Sequence, residues 1–264
     1  MIATVIEASH PQDAASARAW RDANLAAVCD VVEPWEHGRI LRATRYPTYW
    51  DLNCVLVEDT APVGGEEVRA VADRALEGLA HRRISFDHLE NAEPLRAEFK
   101  AAGWMAMRLV WLRHQGAATR APGAVEIAEV RIDAVHELRF AWHHEEFENA
   151  DGLSFGAFLD DALAVAERFR GARVFAAIED GEPVGFVQLE RIGSSGEIAQ
   201  AFVRRDRRGG GLGAALLATA IAEAQELAEL YICADDEDRA KDLYERMGFR
   251  PVWRTMDFLL PPRL

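Results

Sequence analysis

Cysteine is scarce in this chain: there are three in 264 residues, Cys29, Cys54 and Cys233, with no C-x-x-C pair among them. Such spacing offers neither a redox pair nor a zinc site, so three free, buried thiols are expected and no metal. Long apolar runs are also missing. The longest nearly apolar stretch, Leu212 to Ala222, is eleven residues, against the ~18–20 that cross a bilayer. Positive charge is short as well. Lys plus Arg number 30 against 44 Asp plus Glu, a net charge of −14, which argues against a nucleic-acid backbone or an anionic membrane as partner. The first thirty residues lack the basic start, apolar centre and small-residue cleavage site of a secretory leader, so a cytoplasmic location is expected.

What remains is ordinary globular composition, 50% hydrophobic and 28% charged, which excludes a disordered or collagen-like chain. The length suggests two domains. A run of Gly, Ala, Thr and Pro at Gln115 to Gly123 marks a linker, which divides the chain into domains at 1–114 and 124–264. The acidity is uneven: residues 1–120 carry 17 acids and 14 bases, residues 121–264 carry 27 and 16.

In the second half, Val125 to Ile132 alternates as a strand, and Val135 to Phe147 and Phe155 to Phe169 repeat with helical spacing. Asp180-Gly181 joins two strands as a hairpin, and Gly193 to Gly196 leads into a third strand ending at Val203. After it come Arg204 to Arg208, the glycine run from Gly209 to Gly213, and a helix with Leu217, Ile221, Ala224 and Ala228 on its buried stripe. Leu230 to Cys233 reads as a strand, Ala240 to Met247 as a helix capped by Gly248, and Val252 to Leu260 as a last strand or strand pair. The first half echoes this ending: a helix over Val68 to Leu79, a strand at Arg83 to Phe86, a helix at Pro94 to Ala102, then Gly103-Trp104 and an apolar strand to Leu112. Laying Gly103-Trp104 on Gly248-Phe249 places Phe99 on Tyr244, the mark of a tandem duplication.

The chemistry concentrates at Arg208-Gly209-Gly210-Gly211-Leu212-Gly213, an R-x-x-G-x-G run between strand and helix. Glycines let the main chain approach a ligand and adopt positive φ, and the first helical turn leaves N–H groups unpaired at a positive dipole end. The combination suits a pyrophosphate. Gly209, Gly211 and Ala214 also fit the dinucleotide fingerprint. That reading fails because four arginines separate the loop from its strand, and too little chain follows for a dinucleotide domain. No Lys-Ser/Thr follows the glycines, which excludes a Walker loop.

With Val203 ending its strand before this run, and Ala240-x-x-x-Tyr244-x-x-x-Gly248-Phe249 downstream, the sequence from Val125 to Leu260 resembles the GNAT N-acetyltransferase superfamily. The resemblance implies an α/β (α+β) fold of tandem GNAT-like domains, each a mixed, mainly antiparallel sheet flanked by helices. It implies a sheet that splays beside Ile198–Val203 to hold acetyl-CoA. Phe202 and Val203 would pair with the pantetheine arm through their main chain. Amides of Gly209, Gly210, Gly211, Leu212, Gly213 and Ala214 would hold the pyrophosphate, with Arg208 at its edge. Tyr244 would protonate the departing thiolate, and Glu190 and Glu197 are the candidates for the base that deprotonates an amine acceptor. A departure stands at Glu237, where the family often has asparagine, because a carboxylate cannot donate a hydrogen bond to the cofactor. His143-His144-Glu145-Glu146 lacks metal-binding spacing and is expected to line the acceptor cleft, with Trp142 and Phe147 nearby.

The first half has only Gly64-Gly65 in place of the arginine–glycine loop, so it reads as a degenerate half similar to those of tandem bacterial acetyltransferases. The function implied is transfer of an acetyl group from acetyl-CoA to a primary amine of a small molecule or peptide in a ternary complex. The competing class is a non-catalytic acyl-CoA sensor or partner-binding module. The acidity of the second half favours a cationic amine as acceptor. A homodimer is compatible with all of this.

Overall fold

The computed structural model describes residues 11–116, 125–146 and 156–262. Most of the expected linker and Phe147 therefore lie outside the described residues. The first half begins with helix α1 (Pro11–Val28), which had no clear signature in the sequence because its buried side, Ala17, Trp20, Asn24, Leu25 and Val28, mixes small, aromatic and polar residues. Strands β1 (Val31–Trp35), β2 (Gly38–Arg42) and β3 (Cys54–Val57) follow, then helix α2 (Gly65–Ala75) and strand β4 (Arg82–Phe86). The next helical stretch is broken into α3 (Leu89–Ala92), a 3-10 turn and α4 (Arg96–Ala101), and the half ends in β5 (Met105–His114).

The second half runs β6 (Glu126–Val130), α5 (His136–Glu146), α6 (Gly156–Phe169), β7 (Arg173–Glu179), β8 (Glu182–Ile192), β9 (Ser195–Val203), α7 (Leu212–Glu223), β10 (Glu229–Asp235), α8 (Ala240–Arg246) and β11 (Phe249–Leu260). The β7–β8 turn carries Asp180 at φ 52° and Gly181 at φ 84°, the backbone that a two-residue hairpin turn demands. Gly103 and Gly248, the pair aligned by the internal echo, both follow their helices with positive φ, 83° and 94°.

Among the described residues the strands form one eleven-stranded sheet in the order β1-β2-β3-β4-β11-β5-β10-β9-β8-β7-β6. The pattern is symmetric about the long antiparallel β11–β5 pair. On each side lies one antiparallel partner, β4 or β10, then one parallel pair, β3–β4 or β9–β10, then antiparallel strands to the edge. Each half has therefore exchanged its last strand: β11 completes the sheet of the first half and β5 that of the second. This exchange is invisible to periodicity, because a strand's alternation does not say which neighbour it will pair with.

Side chains alternate across the sheet. Val55, Val57, Ile84, Phe86, Met256 and Phe258 pack under α2 and α4, whereas Cys54, Leu56 and Leu259 face α1 and α6. In the first half the position equivalent to the glycine loop is closed. Phe99, at the Tyr244 position, is fully buried and stacks on Phe258 with ring centroids 4.1 Å apart. At the start of α2, a Cβ on Gly65 would come within 2.7 Å of the Glu98 carboxylate oxygens, so the protein's own carboxylate fills the helix N-terminus.

Candidate functional site

Strands β9 and β10 pair only where Ser195–Glu197 meets Glu229–Tyr231, and beyond that point they diverge. The parting leaves one edge of β9 without ladder partners and opens a cleft of about 950 Å³. Phe202 and Val203 line it, followed by Arg208, Gly209, Gly211, Leu212, Gly213 and Ala214, with Tyr244 opposite; of the residues expected in this loop, Gly210 alone is not part of the wall. Unpaired strand edges bind extended chains bearing amides, because buried peptide groups need partners.

The loop has the backbone that its glycines permit. Gly209 and Gly211 adopt φ of 84° and 87°, and Gly211 caps α7. The first return bond of the helix is Ala215 N–H to Gly211 O at 3.0 Å. The N–H groups of Leu212, Gly213 and Ala214 therefore have no intrahelical acceptor, at a positive dipole end. Arg208 lies across the mouth: Nε donates to Val203 O at 2.9 Å, Nη2 to Glu145 Oε2 at 2.6 Å, and the guanidinium sits 5.4 Å from the Phe202 ring centre. An anion here would meet a cradle of amides and one arginine.

Tyr244 is half-buried on α8, edge-on to Phe249 at 6.5 Å between ring centres. Burial, with Asp238 and Cys233 nearby, pushes its hydroxyl up to about 12, so it carries a proton at neutral pH. On β9 the register slips by one residue, Gln188 opposing Gln200 while Leu189 opposes Ile198, so Ala199 bulges out of the ladder. The bulge resets the alternation. Ile198 packs with α7, yet so do Ala201 and Val203, while Phe202 joins the α5 side.

On the α1 and α6 face lies a second cavity of about 260 Å³. It shares three wall residues with the cleft, Leu109, Ala199 and Cys233, so the two meet at the bulge. Glu197 lines the second cavity. Its Oε2 accepts from Trp20 Nε1 of the first half at 2.7 Å. Burial of the carboxyl, reinforced by the charge of Glu190, raises it to about 7. Glu190 lines neither cavity: it is 2% exposed, accepting from Gln188 Nε2 at 2.7 Å and Arg170 Nη1 at 3.2 Å. Both candidate bases are thus neighbours, but only Glu197 reaches open space.

Several wall residues were not legible in the sequence: Arg21 and Asn24 on α1, Asp51, Arg83 on β4, and Thr255 and Asp257 on β11. No motif announces them, because the exchanged strand and α1 bring them together from far apart. Acids here come from both halves and alternate with arginines, so the wall is not the one-signed acidic surface that the charge split suggested.

Glu237, at the position where asparagine was expected, is bound in an ion pair between the halves, taking Arg96 Nη1 at 2.8 Å and Nη2 at 2.5 Å. His143 does not line an acceptor cleft. It is buried in α5, bonded through Nδ1 to Arg139 O at 2.9 Å and packed edge-on against Trp142, while Trp142 and Glu145 line the cofactor-sized cleft instead. Helical spacing turns adjacent residues to different faces.

Residues 128–249 match the acetyltransferase (GNAT) family. A functionally unknown conserved protein from Staphylococcus epidermidis has the same fold, with a TM-score of 0.65 at 16% identity, covering 88% of this chain and 93% of that one. A GCN5-related N-acetyltransferase from Kribbella flavida superposes with a TM-score of 0.53 at 17% identity, covering 96% of each chain. No curated protein matches this chain. No described helix is long and apolar enough to cross a membrane.

Proposed function

We propose that this chain, whose residues 128–249 match the acetyltransferase (GNAT) family, is an N-acetyltransferase that moves an acetyl group from acetyl-CoA to a primary amine, directly, in a ternary complex. The observation that carries the reading is the meeting of two cavities at Ala199, with Glu197, raised to about 7, in one and Tyr244, raised to about 12, in the other. A carboxyl that titrates near neutrality and a phenol that keeps its proton there are the base and the acid that amine acylation requires.

Acetyl-CoA supplies an activated thioester. The unpaired β9 edge at Phe202 and Val203 takes its amide-bearing arm, and the N–H groups from Gly209 to Ala214 take its pyrophosphate. Glu197 accepts the proton that the amine must lose. The amine nitrogen then forms its bond to the acyl carbon as the carbon–sulfur bond breaks, Tyr244 gives its phenolic proton to the departing thiolate, and the second proton shed by the acylated nitrogen restores the phenol. Glu190 acts on Glu197 through charge and through Arg170, as a positioning residue. Glu237 is withdrawn from any cofactor role by Arg96.

Thiol release from acetyl-CoA in the presence of a panel of primary amines, with the acetylated product identified by mass, tests the reading. Tight acetyl-CoA binding with no product from any amine would replace it with the sensor.

A further inference from the structure

The second cavity is larger than its reactive corner needs. At about 30 Å³ per water-sized group, its roughly 260 Å³ admits about nine non-hydrogen groups beyond the bulge. Its cations are already engaged. Arg83 is bonded to both Asp51 and Asp257, Arg21 to Asp87 and Asp22, and Arg170 to Glu190. An incoming carboxylate or phosphate would have to break one of these pairs.

Two acceptors are left over. Asp257, 2% exposed, accepts from Arg83 at Oδ2 and leaves Oδ1 buried with no hydrogen-bond partner among the described residues. Asn24, 6% exposed, is held by its Nδ2 donating to Trp20 O at 3.2 Å, which leaves Oδ1 buried and equally unpartnered. Both residues line the second cavity and neither touches the cofactor cleft. Against them stands a single orphaned donor in the wall, Arg170 Nε, on a guanidinium that already faces Glu190. Buried acceptors without donors are costly unless a ligand satisfies them.

We propose that Asn24 and Asp257 receive a second N–H donor of the acceptor, so that the substrate class is a compact amine with two donor groups, in its simplest form a short aliphatic diamine. One amine lies at Glu197 for reaction, while the other, as ammonium, donates to the orphaned oxygens of Asn24 and Asp257. One residue comes from the first helix and the other from the exchanged last strand. Selection of the acceptor therefore depends on both halves, although the cofactor cleft belongs mainly to the second. Which amine reacts rests on the acetyl-transfer reading, but the binding preference does not.

The test is calorimetric titration of the full chain, with coenzyme A present, using 1,4-diaminobutane, butylamine and 4-aminobutanoate. A charge-assisted bond to orphaned acceptors predicts about tenfold tighter binding of the diamine than of butylamine, and weakest binding of the amino acid. In Asn24→Leu the ratio of diamine to butylamine affinity should collapse toward one. Asp257→Asn is the second variant, and a cooperative thermal melt checks that each is folded. Tighter binding of 4-aminobutanoate, or a diamine preference that survives in both folded variants, overturns the proposal. Product formation is read separately. Diamine-selective binding without acetylation would refute the transfer reading and leave the pocket assignment standing, whereas acetylation with no diamine preference would do the reverse.

Discussion

Replacing Glu197 by glutamine keeps the side chain's shape and leaves an oxygen to accept from Trp20, but it removes both the charge and the titration. In the folded protein this carboxyl is raised from 4.5 to about 7 by burial and by Glu190. The unfolded chain ionises it near 4.5, so between that pH and about 7 the folded state holds the extra proton. Folding stability from this group falls as pH rises through that window, and the loss is complete above it. At 1.36 kcal/mol per unit, the penalty reaches about 3 kcal/mol at most. Glutamine carries no such penalty. The variant should melt roughly 6–12 °C above the wild type at pH 8, using about 2–4 °C per kcal/mol for a protein of this size, and at the same temperature near pH 4. Its turnover should fall by about 10²–10⁴-fold, the range for a positioned general base, and the inflection near pH 7 should vanish from the rate profile. Melting curves at the two pH values, with initial rates of thiol release from pH 5.5 to 9, measure both effects. Equal melting at pH 8 would refute the burial argument, and undiminished turnover would refute the role as base.

Glu190→Gln should move the midpoint of the kcat/KM profile below that of the wild type. The Glu190 charge helps to hold Glu197 up and Arg170 pulls it down, so an unmoved midpoint would uncouple the pair. Tyr244→Phe should lower turnover about 10²-fold with acetyl-CoA affinity nearly intact in calorimetry, and full turnover in a chemistry-limited assay would leave the ring as packing. Gly211→Asp should abolish acetyl-CoA binding, since it puts a carboxylate at a helix N-terminus where φ is 87°. Retained affinity would place the pyrophosphate elsewhere.

Local chemistry made much of the second half legible. Asp-Gly at 180–181 needs positive φ and forms a hairpin, the glycines from Gly209 stop one strand and start one helix, and Gly248 ends another helix. These features act within a few residues, so the sequence alone carries them, together with the cofactor-loop candidates and the aligned pair Phe99 and Tyr244. The second cavity has no such local cause. Asn24, Arg83, Glu197 and Asp257 lie far apart along the chain, and they meet because β11 leaves its own half to lie between β4 and β5 while α1 closes over the join. Strand alternation fixes which face a side chain takes, but the choice of neighbouring strand is made by the packing of the whole sheet. The sequence offered Glu190 and Glu197 as equals. The bulge at Ala199 and the engagement of Glu190 by Arg170 and Gln188 are what separate them, because only the folded chain decides which carboxylate is enclosed by its partners and which is left facing space.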